Sequence, residues 1–120
     1  MTESTSIDIS VKYLDSLLLN HYKNYFNDEN IKLSRNVYSD TYHDDVVTTI
    51  ITRKVKIGNY SGEKKYILTH DEIKNVLNED LEKEGYFINY FRYVVYNDRV
   101  ANIEADLKEK QKTKQKVLRW

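Results

Sequence analysis

The chain has 120 residues, a formal net charge of zero, one tryptophan and no cysteine. That length suits one domain with its own core, and 40% hydrophobic against 32% charged residues is not the balance of a disordered chain. The lack of cysteine excludes a disulfide scaffold, thiolate zinc sites and a cysteine nucleophile, and points to a reducing, cytoplasmic setting.

The first residues, Met1 to Ser6, have no positive n-region and no apolar stretch behind them, so no signal peptide is expected. The longest pure apolar run, Leu17-Leu18-Leu19, is far too short to span a membrane. Residues with AT-rich codons greatly outnumber those with GC-rich codons. This is the bias of an AT-rich genome, such as that of a low-GC bacterium, its phages or mobile elements. Charge is unevenly spread: residues 1–107 carry a net −5 and residues 108–120 a net +5.

Residues 1–6 read as a frayed polar lead. From Ser10, the residues Val11, Leu14, Leu18, Tyr22 and Tyr25 recur at spacings of three and four, which predicts an amphipathic helix to Phe26. After the turn Asn27–Asn30, alternation of Ile31, Leu33 and Val37 with polar residues predicts a strand, followed by a polar connection, Ser39–Asp45. Val46–Ile57, rich in Val, Ile and Thr, reads as a strand. Gly58–Gly62 reads as a five-residue hairpin loop and Glu63–Leu68 as the partner strand.

Thr69 followed by Glu72 is a capping-box signature. Ile73, Val76, Leu77 and Leu81 form the stripe of the helix it opens, and Gly85 stands where a C-terminal cap belongs. Tyr86–Tyr96 reads as a long aromatic strand. Asn97-Asp98 reads as a turn into a last helix with Val100, Ile103 and Leu107 as its stripe, extended by the i,i+4 pairs Glu104–Lys108 and Asp106–Lys110. The expected fold is therefore a single α+β domain over residues 1–107, in the order α-β-β-β-α-β-α, with helices packed on a mainly antiparallel sheet. Residues 108–120 are expected to form a basic, helical C-terminal tail.

Related element orders occur in restriction-type nucleases, double-stranded-RNA-binding domains and phage tail-terminator-like proteins, so function must be sought in the site. Glu63-Lys64-Lys65 with Asp45 upstream spells a nuclease-like metal site, but the expected hairpin puts the two carboxylates about 40 Å apart at the usual rise per residue. Asp40, His43, Asp44 and Asp45 lack the glycine and alternation of a calcium loop and read as a solvated turn. His21, His43 and His70 lack metal-ligand spacing, and the three glycines make no phosphate loop. An RNA reader needs lysines on its second helix; this helix segment is acidic, with Asp71, Glu72, Glu79, Asp80, Glu82 and Glu84 against Lys74 and Lys83.

Two features remain. Simple alternation puts Phe87, Phe91 and Val95 on one face of the aromatic strand and Tyr86, Ile88, Tyr90, Arg92, Val94 and Tyr96 on the other. Two apolar faces describe either a strand covered on both sides or a partner surface. Tyr and Arg are enriched at binding hot spots, which makes Tyr86, Tyr90, Arg92 and Tyr96 the candidate partner-binding residues. The second feature is the tail. Lys108, Lys110, Lys112, Lys114, Lys116 and Arg119 would attract phosphates, and Val117, Leu118 and Trp120 make an apolar end that a partner could capture.

The expectation is a non-enzymatic binding protein without cofactor or metal: a regulator, inhibitor or assembly component acting through a protein partner or a second copy. Nucleic-acid binding through the tail is the alternative reading, and a metal-dependent nuclease the third.

Overall fold

Ser10 and Thr69 open the two helices found among the described residues by the same device. In the computed structural model, which describes residues 5–40 and 43–110, the Ser10 hydroxyl accepts from the Tyr13 amide at 3.1 Å. Thr69 and Glu72 close the full capping box, the Glu72 amide donating to the Thr69 hydroxyl and the Thr69 amide to the Glu72 carboxylate. Each cap satisfies amides that the first helical turn leaves without a carbonyl. Among the described residues the order is β1 (Thr5–Ser10), α1 (Val11–Phe26), β2 (Lys32–Asp40), β3 (His43–Ile57), β4 (Tyr60–Leu68), α2 (His70–Glu82), β5 (Tyr86–Tyr96) and β6 (Arg99–Glu109).

The α+β class and the α-β-β-β-α-β run expected from the sequence are present, with antiparallel strands throughout. The strands form two sheets, of order β1-β6-β5 and β2-β3-β4. Two expectations are corrected at the ends. Thr5 and Ser6 are not frayed but begin β1, which pairs with β6 from Thr5 opposite Leu107 to Ser10 opposite Asn102. The expected last helix is strand β6 through Glu109, so the i,i+4 pairs Glu104–Lys108 and Asp106–Lys110 do not form. Glu104 instead holds Arg92 across the strands, and Lys110 holds Glu82 of α2 at 2.8 Å.

The reason lies in the turn. Asn97 and Asp98 both adopt left-handed backbone, φ 53° and 58°, the two-residue geometry that returns a strand onto itself with the correct twist. Tyr96 then faces Arg99 and the β5–β6 ladder zips back. The β3–β4 loop is also tighter than expected. Gly58, at φ 61°, and Asn59 make a two-residue turn with Ile57 opposite Tyr60. Glu63 therefore faces Lys54, nine residues along β3 from Asp45 and about 30 Å away at the usual rise. The carboxylates of the nuclease-like reading are not brought together.

Both helices pack on one side of the sheets. Leu14 and Leu18 of α1, Ile73 and Leu77 of α2, Ile51 of β3 and Ile103 of β6 are almost completely buried there. Each such side chain contributes about 1.5–3 kcal/mol by leaving water. A polar chain crosses this interior. Asp15 of α1 binds the Arg35 guanidinium, whose Nε donates to the buried Thr49 hydroxyl at 3.2 Å, and that hydroxyl is 3.4 Å from the Tyr93 hydroxyl of β5. One network thus joins α1 to both sheets.

Candidate functional site

The aromatic strand has one buried face, not two. Between Ile88 and Phe91 the β5–β6 register slips, so that three steps on β5 match two on β6, from Leu107 to Ala105. This bulge at Asn89 and Tyr90 inverts the pleat. Before it the even positions face inward; after it the odd ones do. Ile88, Phe91 and Tyr93 consequently share the inner face, Ile88 and Phe91 almost wholly buried, which corrects the face assignment from strict alternation. Tyr86, half-buried, has the parity of Ile88 and does not stand in a row with Arg92.

Tyr90, Arg92 and Tyr96 reach the surface. Tyr90 is 59% exposed and Tyr96 72%, and Arg92 lies between them with its guanidinium on Glu104 of β6. Asp8 of β1 extends the same outer face, its carboxylate accepting from Asn102 at 3.0 Å. Beside Tyr90, His70 stacks on Phe91 with ring centroids 3.8 Å apart and planes 4° from parallel. Burial lowers the imidazole pKa below its ordinary value. His70, Tyr90 and Arg92 border a crevice of about 440 Å³ between the two sheets.

Two further surfaces come together only in the fold. The β3–β4 hairpin carries exposed Lys54, Lys56, Lys64 and Lys65 against Glu63, with Ile57 and Tyr60 exposed at its turn. In sequence this excess is hidden inside a chain segment whose overall charge is negative. The other is a groove of about 690 Å³ between α1, α2 and β4, which is an edge strand among the described residues. Its floor is aromatic: Phe26 packs on Tyr66 at 4.6 Å and edge-on to Tyr25 at 4.9 Å, with the Arg53 guanidinium over Phe26 at 4.7 Å. Glu72 and Glu79 of α2 form its rim, Glu79 lying 3.6 Å from His21. The apolar part of this signal was legible as the α1 stripe continuing past its buried residues to Tyr25, which is 71% exposed.

Of the basic tail, Lys108 lies in β6 opposite Phe87, and Lys110 donates its amide to the Gly85 carbonyl at 2.8 Å. Lys112, Lys114, Lys116 and Arg119 lie outside the described residues. Among the described residues no group of three or more His, Asp or Glu side chains could hold a metal ion, and no helix is long and apolar enough to cross a membrane. No family model, curated protein or solved structure matches the chain.

Proposed function

We propose that the protein is a non-enzymatic binding module that acts through protein–protein contact on the outer face of the β1-β6-β5 sheet. The observation that carries this reading is the exposure of Tyr90 and Tyr96 on either side of Arg92, on a sheet face opposite to both helices. Tyrosine offers a large rigid surface and a hydroxyl that tolerates water in the free state. Arg92, held in place by Glu104, presents its remaining donors to a partner at low entropic cost. A regulator, inhibitor or assembly component of an AT-rich host or its mobile elements would use such a surface.

The test compares the wild type, Tyr90→Ala with Arg92→Ala, and a Ser34→Ala control on the other sheet. Affinity capture from source cells and sedimentation of the purified protein are the two readouts. The double variant is expected to weaken the partner or second-copy contact about 30-fold or more, as hot-spot residues do, while the control retains it. Equal association of all three would refute this surface.

The basic β3–β4 hairpin supports a second reading, nucleic-acid binding, since a two-stranded ribbon with lysines on both strands fits a major groove. Charge reversal at Lys54 and Lys56 should then flatten the salt dependence of binding to DNA or RNA. A chain that binds neither at low salt has no such role.

A further inference from the structure

We propose that the outer face of the β1-β6-β5 sheet binds a second copy of itself about a two-fold axis along β6. In this pairing β5 of each chain lies on β1 of the other, and Arg92 meets Asp8 of the second copy. The inference names the partner of the surface proposed above and rests on that reading.

The first argument is charge. Asp8 of β1, Glu104 of β6 and Arg92 of β5 stand directly opposite one another in the ladders, so one row crosses the face from an acidic edge to a basic one. Turning a second copy over about β6 sets each Arg92 above the other chain's Asp8. Within its own chain Arg92 meets Glu104 through Nη2, and Asp8 takes the Asn102 amide on Oδ1. Nε and Nη1 of the one and Oδ2 of the other stand outside those two contacts. The two Glu104 carboxylates meet on the axis, each neutralised by its own Arg92.

The second argument is relief. The β5 half of the face carries Tyr90, Arg92 and Tyr96, whereas the exposed β1 half carries Ser6, Asp8 and Ser10. The same rotation puts the high edge on the low one. Ser6, Tyr90, Arg92 and Asp106 border a hollow at the height where the Tyr90 ring of the second copy arrives. Sheets stacked face to face cross at about 30°, so the match is closest at the central Asp8–Glu104–Arg92 row. The third argument is size. Three strands and the 11 residues of β6 cover roughly 14 by 36 Å at the usual spacings. That is below the about 800 Å² per partner of a standard interface, so the dimer is weak and reversible.

Sedimentation velocity of the full chain across a concentration series tests this, together with Arg92→Glu, Asp8→Lys and their equimolar mixture. The wild type should pass reversibly from monomer to dimer, less readily at high salt. Each substitution sets two pairs of like charges across the interface and should weaken association at least about 30-fold. The mixture should recover a dimer, because the new lysine of one chain meets the new glutamate of the other while the second pair stays native. Misfolding of either variant cannot produce that recovery. A wild type that remains monomeric, or a mixture no more associated than its components, would overturn the pairing. If that monomeric wild type captures another protein and Tyr90→Ala with Arg92→Ala loses it, the second-copy pairing is overturned and the surface stands. Undiminished capture by the double variant removes both.

Discussion

The side-chain amide of Asn78 on α2 hydrogen-bonds both backbone groups of Ile88 on β5: the Ile88 amide donates to Oδ1 at 2.8 Å, and Nδ2 donates to the Ile88 carbonyl at 3.0 Å. The amide thereby takes the place of a neighbouring strand where β5 forms the edge of its sheet. It also ties the helix to the start of the bulge that sets which aromatic residues face out.

Asn78→Ala would leave an amide and a carbonyl unpaired at a residue that is 1% exposed. A buried group without a partner costs about 1–3 kcal/mol, and water admitted to the gap recovers part of it, so a loss of about 2–3 kcal/mol is expected. Denaturant unfolding measures the loss, and hydrogen exchange at the Ile88 amide should accelerate. A loss under about 0.5 kcal/mol would show that the edge needs no such closure.

Asp15 and Arg35 test the network between helix and sheets. The Arg35 side chain is 10% exposed and Asp15 29%, and their closest atoms are 2.6 Å apart. Removing one partner of a fully buried pair costs about 3–5 kcal/mol because a charge is stranded. Partial exposure of Asp15 reduces this, so Asp15→Ala should cost about 2 kcal/mol. Arg35→Met should cost less than Asp15→Ala, because it removes the buried charge and keeps an apolar stem. The reverse order in thermal unfolding would mean that the other Arg35 contacts dominate, to the Thr49 hydroxyl and over the Tyr93 ring at 5.9 Å.

Both helices were legible because each carries its apolar stripe and its cap in one contiguous stretch. The β3–β4 hairpin was legible because Val, Ile and Thr dominate β3 and Gly58 marks its turn. The last element was misread because Val100, Ile103 and Leu107 fit a helical spacing as well as one face of a bulged strand. Ile103, Ala105 and Leu107 show the strand period once β6 is placed between β1 and β5. The bulge at Asn89 and Tyr90 left no local mark, since it arises from pairing with β6. Of the groove, the acids of α2 and the continuation of the α1 stripe to Tyr25 were legible, whereas their meeting with Tyr66 arises only through the tertiary fold.

That misreading has its own test at Asn97. Left-handed backbone costs an ordinary side chain about 1–2 kcal/mol, more for a β-branched one. Asn97→Val should therefore destabilise the chain by at least that amount, whereas Asn97→Gly should be close to neutral. In a helix both would act as ordinary substitutions of low propensity, with Gly the worse. Equilibrium unfolding of the two variants separates the geometries.

His70 gives the fold a dependence on acid. Burial against Phe91 holds its pKa below the ordinary 6.5, with Asp71 opposing this effect and Lys74 adding to it. Between the folded pKa and 6.5 the unfolded chain binds the proton that the folded chain refuses. Stability therefore rises with pH across that window and is lost as pH falls through it. Above 6.5 both states hold a neutral imidazole and the effect is absent. His70→Phe keeps a ring on Phe91 at the 3.8 Å stack and removes the titration. The wild type should lose more unfolding free energy than this variant when pH is lowered from above to below 6.5, and the two should run parallel above it. Parallel curves throughout would show that the stacked imidazole takes up its proton as readily in the folded chain as in the unfolded one.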